Sequence, residues 1–218
     1  MERLEHFDLG DGRALTLHDA ARKLTLRAGL PGAHLFDRAT HALRQARVLG
    51  VPLDARLELA LASSWLVNSP APSSALRALA APSRFGALQS LAVLLGALDE
   101  VPPQGALDEI EATVDRLAAA WPDAGGRGAE MLSKLLALVV PETVPLLPEP
   151  TCRFLLGEPP AAAGARFVAC LGVFRRATLA LEPVLIALAR EHKAAVLEPA
   201  QVLDRLLWFD SEGFRHFP

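Results

Sequence analysis

The sequence predicts an all-α fold: a single globular multi-helix domain of about ten helices with a short N-terminal β-hairpin. Composition is the first reason. Leu (41) and Ala (39) supply 80 of 218 residues, whereas Val, Ile and Thr together supply 23 and Tyr is absent. The first pair suits helices, and sandwiches or large sheets need many of the second set. Helical spacing is the second reason, because apolar residues recur every three or four positions over most of the chain. The third is punctuation: many of the 15 Gly and 17 Pro stand between these runs, where helices end. Hydrophobic content of 51% with 22% charge excludes a disordered chain.

In chain order, residues 4–17 alternate apolar and polar positions around Gly10-Asp11-Gly12 and predict the hairpin, which would cover a helical core. Thr16 with Asp19 three residues on forms a capping pattern for a helix running to Ala28, stopped by Gly29 and Pro31. A second helix spans 34–48 with Leu35, Ala39, Ala42, Ala46 and Leu49 along one face, then Gly50 and Pro52. Asp54 caps a third over 55–67, and Asn68 to Ser74 forms a loop. Ser74 and Ser83 each precede a helix, 75–81 and 84–98.

After Pro102 and Pro103, helix 106–121 carries Leu107, Ile110, Val114, Leu117 and Trp121 at spacings that make a buried stripe. A glycine-bearing loop, residues 122–128, leads into an apolar helix over 129–140. Four prolines between 141 and 150 then forbid a helix. A short helix, 151–156, ends at Gly157. A long one runs over 161–180, and Pro183 is placed to open a separate helix reaching 193. The last helix, 199–209, buries Val202, Leu203, Leu206, Leu207 and Phe209. The aromatic tail to Phe217 is expected to dock on the body.

Charge limits the partners. The net charge is −3, so no global field attracts a polyanion, and residues 101–150 are the most acidic stretch, with 3 basic and 8 acidic residues. Cys152 and Cys170 sit among apolar neighbours with no CxxC or Cys/His cluster, which predicts buried free thiols rather than zinc ligands. The start Met-Glu-Arg-Leu-Glu-His has no basic segment followed by an apolar run, and the longest uncharged apolar-rich run, Phe85 to Leu98, is shorter than a membrane span. A cytoplasmic protein without membrane partners is the expectation.

Candidate chemistry is sparse. His34, Asp37 and His41 share one face of the second helix, but the histidines stand about 10 Å apart along its axis, an awkward span for one ion. No serine lies in a nucleophile elbow, and neither glycine loop has dinucleotide or P-loop spacing. Adjacent carboxylates such as Asp99/Glu100 and Asp108/Glu109 diverge on a helix and read as caps or solvated charges. No metal, cofactor or catalytic set is therefore expected.

Residues 126–148 run Gly126-Arg127-Gly128 through Ser133-Lys134, an apolar helix, Pro141 and Val144-Pro145-Leu146-Leu147. This order resembles a segment of the helix-hairpin-helix DNA glycosylases and of bacterial helical proteins related to them. Residues 202–208, Val-Leu-Asp-Arg-Leu-Leu-Trp, are similar to the last helix of some of those relatives. In that family hairpin glycines contact DNA phosphate, the lysine attacks the sugar, and an Asp after the second proline assists. The resemblance makes Arg127, Ser133 and Lys134 the candidate site residues. The Asp position holds Pro148 or Glu149 and the Gly-apolar-Gly hairpin core is missing, so what it implies is a degenerate, nucleic-acid-associated descendant. Read without it, Lys134 at the start of an apolar helix simply carries its ammonium to the surface. The leading expectation is a binding module that meets another protein through an exposed helical or aromatic surface, rather than an enzyme; nucleic-acid association is the alternative.

Overall fold

A computed structural model describes residues 6–8, 14–28, 33–67, 78–98, 101–119, 128–191 and 197–211. The Gly10-Asp11-Gly12 turn, the loop from Asn68 to Ser74, Asp99 and Glu100, Trp121, Arg127 and the tail from 212 lie outside the described residues. Strands β1 (His6–Asp8) and β2 (Ala14–Thr16) pair antiparallel, with Phe7 opposite Leu15. β2 leads directly into α1 (Leu17–Ala28), which Thr16 caps. The Asp19 amide donates to Thr16 Oγ1 at 3.0 Å, and that hydroxyl donates to the Asp19 carboxylate at 2.7 Å. The second bond holds the Asp19 carboxyl below its usual range.

Eight further helices follow among the described residues: α2 (Ala33–Val48), α3 (Leu53–Val67), α4 (Pro82–Gly96), α5 (Gln104–Ala118), α6 (Gly128–Val139), α7 (Glu149–Leu156), α8 (Ala163–Glu191) and α9 (Pro199–Ser211). This is the all-α packing that the composition predicts. α3 begins ahead of Asp54, which therefore sits in its first turn and accepts from the Ala55 amide at 2.9 Å.

Two expectations are corrected. Pro183 does not open a new helix, because α8 runs unbroken through it. The proline lacks the N–H that would reach the Leu179 carbonyl. Leu179, Ala180, Glu182 and Pro183 are all exposed, so water can satisfy the freed group. The apolar face of α2 is also different from the predicted stripe. Leu35 and Leu49 are exposed, and the helix turns Phe36, Thr40 and Leu43 inward. Much of the predicted stripe is alanine, which buries little area, so Phe36 and Leu43 decide the orientation.

The core forms two clusters. The first gathers α3, α4, α5, α6 and the front of α8, with Leu57, Leu91, Ile110, Leu136 and Phe167 fully buried. Its centre is α6, which packs on α2, α3, α5 and α8. Residues 144–148 pass beside it in extended form, and Val144 and Leu147 complete the cluster. The second cluster lies between α1, the rear of α8 and α9: Leu24, Phe174, Leu185, Leu188, Leu203 and Leu206. No helix among the described residues is long and apolar enough to cross a membrane.

Candidate functional site

On α1, Ala20, Leu24 and Arg27 recur at spacings of four and three, and all three are buried. The third place on a stripe facing the second cluster is therefore held by a guanidinium. α9 does the same with Arg205, set among Val202, Leu203 and Leu206. Arg27 is 5% exposed and Arg205 is 6% exposed. Buried guanidinium groups need partners, because desolvation is costly and their donors are fixed in a plane.

The partners come from two helices, α2 and α9. Asp37 of α2 bridges the two arginines, accepting from Arg205 Nη2 at 2.7 Å and from Arg27 Nη1 at 3.3 Å. Arg205 Nη1 donates to the Gln201 carbonyl one turn earlier at 2.8 Å. The Arg27 guanidinium lies over the Trp208 ring, 5.6 Å from its centre, a cation–π distance. Asp204 lies close to both arginines and accepts from the Leu146 amide at 2.7 Å, tying the extended segment to α9. Loss of hydration pushes its carboxyl up to about 6, against the pull of that amide, Arg27 and Arg205. Loss of hydration also lowers the Arg27 pKa, while Asp37 opposes the shift.

One donor is left over. Arg205 Nε is buried and has no hydrogen-bond partner among the described residues. Arg205 lines a cleft of about 590 Å³ between α1, α2, the end of α8 and α9. Arg27, Arg38, Arg44, Asp37 and His41 supply its charged and titratable lining, and Leu24, Ala28, Ala189, Leu197 and Val202 its apolar part. Arg44 is ion-paired with Glu198. Four arginines thus line the cleft against the carboxylates of Asp37, Asp204 and Glu198 in or beside it, so the site retains a positive balance.

No protein-family model, curated protein or solved structure matches the chain.

Of the residues singled out by the helix-hairpin-helix resemblance, Ser133 and Lys134 lie on α6, outside this cleft, and Arg127 lies outside the described residues. Ser133 is fully buried; its hydroxyl donates to the Glu130 carbonyl at 2.7 Å and accepts from the Leu147 amide at 3.0 Å, fastening the extended segment to α6. Lys134 is paired with Glu130 one turn back at 2.6 Å. Gly128 is buried against Ala118, whose carbonyl oxygen lies 2.7 Å from where a Cβ would stand. That glycine serves close packing of α5 on α6. Cys152 and Cys170 are free, buried and in the first cluster; a hydrogen bond donated to Cys152, together with burial, holds the Cys170 thiol above its ordinary range.

Of the His34, Asp37 and His41 set, Asp37 is engaged by the arginines and His41 lines the cleft, while the His34 side chain lies outside the described residues. Among the described residues no group of three or more metal-ligating side chains gathers. The one sequence signal for the arginine site was an arginine at a buried-stripe position on α1 and another on α9. Their meeting at Asp37 requires contacts across 10 and 168 residues.

Proposed function

We propose that this protein acts by binding a small molecule, and that its binding site is the cleft between α1, α2 and α9. The observation that carries this reading is a concave site of about 590 Å³ in which apolar wall and convergent polar groups occur together, with one buried donor still unpartnered. Small-molecule sites typically occupy about 300–1,000 Å³ and have this mixture of lining. The reading keeps the binding module expected from the sequence and replaces a protein partner with a small one. The nucleic-acid alternative would rest on Arg127, Ser133 and Lys134; Arg127 lies outside the described residues, and the side chains of Lys134 and Ser133 are engaged by Glu130 and Leu147.

Titration with 1-anilinonaphthalene-8-sulfonate, an apolar fluorescent anion, tests the proposal. We expect saturable enhancement with the native chain. Ala28→Trp, at an exposed position of the cleft wall, should abolish it while leaving the circular dichroism spectrum and melting temperature intact. Equal binding by the folded variant would move the site elsewhere and overturn the proposal. A mobility shift with duplex DNA across a salt series tests the alternative: salt-sensitive retention would favour it.

A further inference from the structure

We infer that the cleft selects an organic carboxylate with an apolar body, and that Arg205 and Arg27 receive its acid group in competition with Asp37. This rests on the cleft being the binding site and specifies what it takes. Three observations carry it.

First, the two buried arginines are already arranged around a carboxylate. The oxygens of Asp37 are divided between them, Oδ1 to Arg205 and Oδ2 to Arg27. A geometry that accepts one carboxylate is suited to another, because the planar guanidinium matches its paired oxygens. Second, Asp37 does not exhaust the donors. Arg205 Nε is unsatisfied although buried, a costly condition that an incoming acceptor would relieve. Third, Asp37 is the more exposed partner: its side chain is 31% exposed, against 6% for Arg27 and 7% for Arg205. Its carboxylate can turn toward water without opening the core, leaving the arginines to the ligand. Leu24, Ala189, Leu197 and Val202 face the remainder of the ligand, and Arg38 and Arg44 add positive charge to the lining. An alcohol would lose the charge-assisted bonds, and an ammonium would meet like charge.

The test uses the native full chain and four eight-carbon probes: octanoate, octan-1-ol, octylammonium and octyl phosphate, each titrated by calorimetry and by displacement of the fluorescent anion. Octanoate should bind about ten- to a hundredfold more tightly than octanol, the factor expected of charge-assisted hydrogen bonds. Octylammonium should not bind. Asp37→Asn, which removes the competing charge, should tighten octanoate binding about tenfold and leave octanol unchanged.

Equal binding of octanoate and octanol, both blocked by Ala28→Trp, would leave the cleft as a site and overturn the carboxylate assignment. Octyl phosphate binding more tightly than octanoate would also overturn it. No binding of any probe would overturn both the assignment and the cleft as a site. Should Asp37→Asn fail to fold, the probe series on the native chain still decides. Weaker octanoate binding by a folded Asp37→Asn protein would show that Asp37 holds the arginines in place rather than competing, and would overturn the exchange.

Discussion

Around the first cluster, buried polar side chains are hydroxyls such as Thr113, Ser133 and Thr143. Beside the second, the hydroxyls of Thr40 and Ser211 are joined by the guanidiniums of Arg27 and Arg205 and the amide of Gln201. The chemistry of the two kinds explains why one side is a closed core and the other a site. A hydroxyl on a helix can satisfy itself on the preceding turn, as Ser133 does on Glu130. It then asks little of distant segments. A guanidinium carries five donors and can place only some of them there, as Arg205 does on Gln201, so it draws partners from other helices and can still retain spare capacity. Where a buried side chain must recruit partners, a ligand can be one of them.

Substitutions in each region can break or sharpen this contrast. The largest effect belongs to the closed core: Phe167→Ala, at a fully buried position of the first cluster, should cost about 3–5 kcal/mol in urea denaturation. Binding of the fluorescent anion below the unfolding transition should persist. Loss of binding in the folded variant would mean that the two regions are not separable.

Asp204 gives the next effect, with a definite pH signature. Burial pushes its carboxyl up to about 6 in the folded chain, against an ordinary value of 3.8. The folded state therefore takes up the proton first as pH falls. Ionised Asp204 withholds stability above pH 6, and that stability returns as pH drops from about 6 to about 4. Asp204→Asn keeps an acceptor for the Leu146 amide. It should stabilise the protein by roughly 2 kcal/mol at pH 7.5 and by little at pH 4. Denaturation curves at both pH values check this, and equal gains would remove burial as the cause.

Ser133→Ala should cost about 1–2 kcal/mol, because it leaves the Leu147 amide buried without its acceptor. Ligand affinity should not move. Lys134→Gln is the smallest expected change, within about 0.5 kcal/mol, since its pair with Glu130 is a partly exposed helical one. A large loss of binding on Lys134→Gln would return attention to the helix-hairpin-helix resemblance.

Much of the fold is legible locally. The Thr16 cap and the stripe through Ile110, Val114 and Leu117 are short-range patterns, and each is observed. Two features misled for identifiable reasons. Pro183 reads as a helix start because the pattern does not say that its side of α8 faces water. The alanine-rich face of α2 matched helical spacing but carried less area than Phe36 and Leu43. The site was harder still. Asp37 looked like a companion of nearby histidines, whereas its partners lie on α1 and at the end of the chain. Spacing reports neighbours within a helix, and this constellation exists only once three helices meet.

α8 lends Phe167 and Cys170 to one cluster and Phe174, Leu185 and Leu188 to the other. Pro183 looks like a natural seam for dividing the polypeptide into fragments, yet a cut there severs a rod that both interiors share as a wall. The piece before the cut would keep the first cluster whole, whereas the second would be divided, with Ala20, Leu24 and Phe174 on one side and Val184, Leu185, Leu188 and all of α9 on the other, so the cleft should be lost from either half even though the sequence advertises a break.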